Sequence, residues 1–503
     1  MTFVVALSLV ASLVASLAAR SPAAVGAGPD SAALARFGAT AAAARAALAA
    51  DGGRLWSARL DRVEWMAVLR APDGATRIYL TASPAAGGGG GTGYEPLEAG
   101  GLTLYGGPIP AGVAPANTSV EWGGRRWAMV LLPLPSDSAA AVRLLVHEGM
   151  HTLQDGDASA GDARALLPAP KYGEGGAGAA LLDGPDGRLW LRLEERALGA
   201  ALTASGATQT RALRDALLFR ARRYAAATPD ERRRERALDV SEGLPEYTAW
   251  ALTSGAGSAG ARRAFAPTLE RTAADSAASY VRSFPYATGP AYAFLLDVRA
   301  PGWRRRVATP GGAAAADLQR LTLRTLPGAP PSWLAAALGD TAAPHAAVAA
   351  PLARAADAAG ARYGIATLRA GEETRWAARE REIAALRRRF VDGPTLRLRP
   401  GALRLSFDPR AQTPLGDAGT VMRGLTWKGD DGAELDAPEG ALVSADWSEL
   451  RVPLGGVAPA APAAGASDTT RRWTAPGWSL TLPPGWRLTS DGGALIASPP
   501  RSH

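Results

Sequence analysis

The chain has 503 residues, 47% of them hydrophobic and 20% charged, enough apolar material for a substantial buried core in several domains and too much for a disordered chain. Its formal net charge of +8 comes almost wholly from arginine, with Lys171 and Lys428 the two lysines; the arginines are scattered among acids and form no basic stripe, so no nucleic-acid partner is expected. Cysteine is absent, which excludes disulfides, thiolate metal sites and cysteine nucleophiles and leaves any metal to histidine and carboxylate.

Residues 1–24 open with an apolar run from Phe3 to Ala19, with Ser16 and Ala18 as the small residues of a signal-peptidase site and Arg20 after it. A secretory signal is expected, because the run is shorter than the roughly 18 apolar residues of a spanning helix. The mature protein is then expected in the periplasm or outside the cell, with no integral membrane span. Residues 25–125 predict an N-terminal helix, Asp30 to Ala50, and part of a β-sheet. That part holds a hairpin of residues 59–70 and 76–82 turning at Pro72, Asp73 and Gly74, a glycine loop at Gly87 to Gly91, and a strand at 102–107. Residues 125–134 are nearly continuous in apolar side chains and predict a central strand.

From Ser136 to Asp155 the pattern turns helical, with Val142, Leu145, Val146, Met150 and Leu153 on one apolar face. Helical patterns continue from Gly187 to about Leu296, so residues 126–330 are expected to be the core that carries the chemistry. A helical segment, 331–390, ends in a long helix from Arg362 to Phe390. Residues 391–503 read as a β-rich domain, with alternation in 395–408, 440–454 and 478–488 and a Pro/Ala-rich linker at Val457 to Ala466. The fold class is α+β.

The chain has four histidines, and two of them stand in the sequence His147-Glu148-Gly149-Met150-His151. Residues four apart share a helix face, so His147 and His151 can reach one zinc ion together. Glu148, one position further round, can take a proton from an attacking water and pass it to a leaving nitrogen. A catalytic zinc needs a third protein ligand and an open position. Gln154 and Asp157 stand where the metzincin continuation has Gly and His, and His345 and His503 are isolated, which leaves a glutamate. Glu242, in Ser-Glu-Gly-Leu-Pro-Glu-Tyr, has Gly243 beside it and Tyr247 and Trp250 following at helical spacing. Glu194 lies on an apolar face with Trp190, Leu191, Ala197 and Leu198. Either can be the ligand and the other an orienting group behind a histidine; the plain structural role for Glu194 is pairing with Arg192 or Arg196.

The motifs at 147–151, 241–247 and 284–297 (Phe-Pro-Tyr-Ala-Thr-Gly-Pro-Ala-Tyr-Ala-Phe-Leu-Leu-Asp) resemble the ordered motifs of gluzincin peptidases, nearest to the clan that contains the membrane alanyl aminopeptidases. The resemblance spans three short motifs within about residues 126–300, with Ser241 in place of the usual Asn and no Gly-x-Met-Glu-Asn-like exopeptidase loop. It implies a thermolysin-like catalytic domain, a sheet packed on the HExxH helix with a helical subdomain below. It also implies Glu242 as third zinc ligand, and Tyr286 as the phenol that hydrogen-bonds the developing oxyanion.

The expected function is therefore an exported zinc metallopeptidase acting on a peptide or protein substrate. The competing class is an exported binding or scaffold protein that keeps a structural zinc site, with the C-terminal Trp427, Trp447, Trp473, Trp478 and Trp486 as recognition surface or, more simply, as core. Glu148 discriminates, since a structural site has no use for a base beside its metal. Hydrolysis of a non-peptide bond by the same site is a third reading.

Overall fold

The structure is a computed structural model that describes residues 29–56, 60–70, 75–84, 93–110, 112–113, 115–154, 180–254, 257–276, 280–308, 317–342, 344–400, 405–407, 411–429, 431–455, 469–491 and 494–500. The expected signal peptide, the hairpin turn at 72–74, the glycine loop at 87–91, the linker at 457–466 and His503 lie outside these residues. The chain is a mixed α+β protein that divides into two compact units, residues 1–372 and 373–503.

The first unit opens with helix α1 (Pro29–Asp51) and six strands, β1 (Trp65–Arg70), β2 (Thr76–Leu80), β3 (Glu95–Ala99), β4 (Leu102–Pro108), β5 (Thr118–Trp122) and β6 (Arg125–Leu131). They form one sheet in the order β3-β4-β2-β1-β6-β5, with β1 and β6 parallel and the other neighbours antiparallel. The expected hairpin is β1–β2. The apolar strand β6 is paired on both sides but stands one place from the edge, not at the centre. Period-two alternation sorts the strand residues: Trp65, Ala67, Tyr79, Leu104, Ala128 and Val130 join the helix-side core, while Met66, Val68, Ile78, Leu80, Trp127 and Met129 form a second cluster on the other face.

Helix α2 (Ser138–Gln154) packs on the first of these faces, with Leu145, Val146, Met150 and Leu153 buried and Val142 partly so. Two contacts fix its depth. The Trp65 indole N–H donates to the Leu145 carbonyl at 2.8 Å. A Cβ at Gly149 would stand 2.8 Å from the Val63 side chain, so glycine, unfavourable in mid-helix by about 1 kcal/mol, lets the helix lie close to the sheet.

The helical part follows: α3 (Ala180–Asp183), α4 (Pro185–Thr203), α5 (Gly206–Tyr224), α6 (Pro229–Ser241), α7 (Gly243–Thr253), α8 (Gly257–Ala274), α9 (Tyr280–Ser283), α10 (Pro285–Arg299), α11 (Trp303–Val307), α12 (Leu318–Leu323), α13 (Ser332–Ala337) and α14 (His345–Gly360). Helix α10 is central, buried from Ala287 through Leu296 and in contact with α4, α6, α7, α8 and α12. The last long helix, α15 (Ile365–Arg387), contains the division between the two units.

In the second unit, strands β7 (Thr395–Leu398), β9 (Gln412–Pro414), β10 (Thr420–Met422), β13 (Ala441–Val443), β14 (Leu450–Pro453), β17 (Arg487–Asp491) and β18 (Ala494–Ser498) form one sheet. Strands β8 (Leu405–Ser406), β11 (Leu425–Lys428), β12 (Glu434–Ala437), β15 (Arg471–Ala475) and β16 (Trp478–Leu482) form the other. Trp427, Trp478 and Trp486 are buried in the core the sheets share, and Trp447 and Trp473 pack partly buried against it, so these aromatics serve as core.

Candidate metal centre

Helix α2 carries His147, Glu148 and His151 into the interior, where His147 is 2% exposed and Glu148 1%. Glu242 comes from the junction of α6 and α7. Its own N–H still bonds Leu238 at 2.9 Å and its carbonyl accepts from Glu246 at 3.2 Å, so two helices abut at this residue. Pro245, three residues on, is tolerated because the first turn of α7 has no intrahelical use for that N–H. Gly243 is needed for another reason: a Cβ there would lie 2.7 Å from the Gly289 Cα, and a Cβ on Gly289 would lie 2.5 Å from the Gly243 Cα. The junction and α10 thus meet backbone to backbone, which brings Tyr286, at the start of α10, to Glu242.

Nε2 of His147 and Nε2 of His151 are 3.1 Å apart, and Glu242 Oε2 is 3.6 and 3.4 Å from them. The edges of a tetrahedron around zinc, with ligands at about 2.0–2.1 Å, are about 3.3 Å long. The outer nitrogens settle the tautomers. Nδ1 of His147 is 3.0 Å from Glu246 Oε2, an acceptor, so it carries the hydrogen and donates. Nδ1 of His151 donates to Gln154 Oε1 at 2.9 Å, and the Gln154 amide is oriented by its own donation to the Val240 carbonyl at 3.2 Å. In the neutral imidazoles both Nε2 atoms therefore present lone pairs toward each other and toward a carboxylate oxygen, an arrangement that calls for positive charge between them, whether protons on the rings or a bound cation. His147, His151 and Glu242 form a buried group able to hold a metal ion. The acceptors behind each histidine are what orients ligating imidazoles.

The electrostatics agree. Burial would lower the His147 pKa, yet Glu242 and Glu246 overcome it and raise it to about 10; His151 is raised against burial by Glu242. The Glu242 carboxyl is pushed up by burial and, more strongly, held far below the usual range by the two histidines. Burial pushes the Glu148 carboxyl up to about 7, and its Oε2 is buried with no hydrogen-bond partner.

Tyr286 reaches the group, its ring stacked on His147 at 5.3 Å and its hydroxyl donating to Glu242 Oε2 at 2.7 Å. Glu194 does not. It lies on α4, fully buried, with Oε1 accepting from Arg220 at 2.7 Å and Tyr292 at 2.8 Å and Oε2 from Arg223 at 2.8 Å. Its role is the structural one, though with other arginines than expected: Arg192 pairs with Glu372 and Arg196 donates to the Tyr363 carbonyl. Tyr247 belongs to an aromatic cluster with Trp56, Phe294 and Trp303, and the His345 side chain lies outside the described residues. Sequence reasoning missed Glu246 and Gln154. The signal for Glu246 was present, since 242 and 246 repeat the four-residue spacing of 147 and 151.

The chain matches no family model, no curated protein and no solved structure. What the group can do follows from its own geometry and chemistry.

Proposed function

We propose that the chain is an exported zinc-dependent metallopeptidase of gluzincin type, hydrolysing peptide bonds with Glu148 as general base. The observation that carries the reading is the meeting of three ligand atoms, His147 Nε2, His151 Nε2 and Glu242 Oε2, with the buried, unpartnered Oε2 of Glu148, the residue next to His147 on the same helix. Two imidazoles and one carboxylate are a donor set typical of open zinc sites. A sheet packed on the HExxH helix, with Glu242 supplied by helices below, supports the gluzincin comparison. Export rests on the apolar run Phe3 to Ala19; no described helix is long and apolar enough to cross a membrane.

Zinc, when bound, would supply Lewis acidity toward a substrate carbonyl and make water more acidic. Glu148 accepts the proton of the attacking water at Oε2 and returns it to the leaving nitrogen, a task suited to a carboxyl whose pKa burial raises. Glu246 and Gln154 hold the two imidazoles in the tautomer that leaves Nε2 free. Tyr286, kept protonated by burial and by the Glu242 carboxylate, is a neutral donor that can turn from Glu242 to an oxyanion.

The test is zinc content of the mature protein beside its His151→Ala, Glu242→Ala, Glu194→Ala and Glu148→Gln variants, followed by cleavage of a peptide library. One zinc per chain is expected, lost in the first two variants and kept in the last two, with Glu148→Gln inactive. Zinc retained while every peptide stays uncut would turn the reading toward a binding or scaffold protein with a structural site.

A further inference from the structure

The metal centre occupies two rungs of a longer ladder. Helices α2 and α7 pass each other in opposite directions, so that His151 meets Glu242 at 3.4 Å and, one turn along, His147 meets Glu246 at 3.0 Å. One further turn along each helix brings Arg143 to Trp250, with the guanidinium carbon 4.2 Å from the ring centroid. We propose that Arg143 and Trp250 are positioning residues for the metal centre, acting through Glu246 on His147. The inference rests on the metal-binding part of the proposed function and not on the peptidase activity.

The connection between the rungs is specific. Glu246 Oε2 takes the His147 Nδ1–H, and Glu246 Oε1 takes the Trp250 indole N–H at 2.8 Å. With one donor on each oxygen, the carboxylate is held in the rotamer that faces His147. Arg143 in turn fixes the indole plane. It lies over the face of Trp250, a favourable place for a guanidinium, and is paired at 3.8 Å with Asp137, the residue just before its own helix. Asp137 is itself anchored at the start of α2, accepting from the Ala140 N–H at 2.6 Å. Arg143 also brings positive charge toward a pocket that gathers the carboxylates of Glu148, Glu242 and Glu246, and its guanidinium feels the Glu246 carboxylate. A helix-packing pair needs an aromatic ring at 250 but not an N–H aimed at the carboxylate behind a ligand histidine.

The experiment measures zinc dissociation constants by chelator competition, and visible spectra of the cobalt(II)-loaded protein, for the wild type, Arg143→Gln, Arg143→Lys, Trp250→Phe, Glu246→Gln and the double variant Arg143→Gln/Glu246→Gln. Glu246→Gln should weaken zinc binding about 10- to 100-fold, the usual cost of losing the partner of a ligating histidine. Trp250→Phe keeps the ring and removes the donor; it and Arg143→Gln, one step further from the metal, should each cost about 3- to 10-fold and shift the cobalt bands. Arg143→Lys should recover part of the loss. In the Glu246→Gln background the Arg143→Gln effect should vanish, because the path runs through Glu246. Constants and spectra unchanged in Arg143→Gln and Trp250→Phe, or an Arg143→Gln effect of equal size in both backgrounds, would overturn the inference alone. A wild type that takes up neither zinc nor cobalt would overturn the metal centre and this inference with it.

Discussion

The backbone contact between Gly243 and Gly289 makes a strict demand on sequence beside the metal centre, and Gly243→Ala tests it. The new Cβ would stand 2.7 Å from the Gly289 Cα and 3.1 Å from the Pro285 carbonyl oxygen. Neither neighbour is a side chain that can change rotamer, so the α6–α7 junction and α10 must separate by about 1 Å to reach ordinary contact. Overpacking of this kind costs about 1–3 kcal/mol, and with backbone on the other side the upper end applies. The helical preference of Ala over Gly returns up to about 1 kcal/mol, leaving a net loss of about 2 kcal/mol. The same displacement draws Glu242 from the two imidazoles and from Tyr286, so zinc affinity should fall at least about tenfold, as it does when groups supporting a metal ligand are lost. Urea unfolding of the metal-free protein reads the first effect and chelator competition the second. Gly149→Ala is the comparison: the three atoms nearest its Cβ all belong to the Val63 side chain, the closest at 2.8 Å, with no backbone among them, so its cost should be smaller on both counts. A Gly243→Ala protein as stable as the wild type and equally tight for zinc would refute the claim that this contact places the third ligand.

Glu194→Ala should leave zinc stoichiometry at the wild-type value while destabilising the fold by about 3–5 kcal/mol in urea, because Arg220 and Arg223 lose a buried partner; loss of zinc with stability intact would restore Glu194 as a ligand. Glu195, buried beside it, has its carboxyl pushed up to about 8 by burial and then by the Glu194 charge. Neither of its oxygens has a hydrogen-bond partner, and the nearby Thr272 hydroxyl is turned to the carbonyls of Thr268 and Leu269. The native state therefore holds this proton more tightly than the unfolded chain, whose carboxyl has the ordinary value of 4.5. The stability it contributes is complete below that value and is lost as pH rises toward about 8, at up to about 1.4 kcal/mol per pH unit. Glu195→Gln should remove that slope from a series of urea titrations between about pH 5 and 8; equal slopes in variant and wild type would count against a protonated Glu195. Tyr286→Phe should keep zinc and lower kcat by about 10²-fold or more with little change in KM, as loss of an oxyanion donor does; an unchanged kcat would confine the phenol to its bond with Glu242.

Which parts of this arrangement are legible in the sequence depends on how far apart the deciding residues lie. His147, Glu148 and His151 are legible because a single helix presents them, and the four-residue spacing is fixed by helix geometry alone. The β1–β2 hairpin and the apolar face of α2 are legible for the same reason. The choice between Glu242 and Glu194 is not. Both are carboxylates on helical, largely apolar segments, and what separates them is tertiary: Glu194 is saturated by Arg220, Arg223 and Tyr292, the last of them 98 positions away, whereas Glu242 is delivered by a glycine contact with Gly289. Gly243 stands out as missing bulk beside a carboxylate, but nothing local says that another helix fills the gap. Arg192 likewise reads as a partner for Glu194 because it is two residues away, yet two residues on a helix point to different faces, and its charge goes to Glu372. Glu246 stands between these cases. Its spacing from Glu242 is visible, and so is the matching series 143, 147 and 151 on α2, but the two series become a ladder only because α2 and α7 pass side by side in opposite directions. A second run of polar or aromatic residues four apart, accompanying a metal-ligating pair of the same spacing, is therefore the pattern by which a supporting carboxylate such as Glu246 can be sought in an amino-acid sequence.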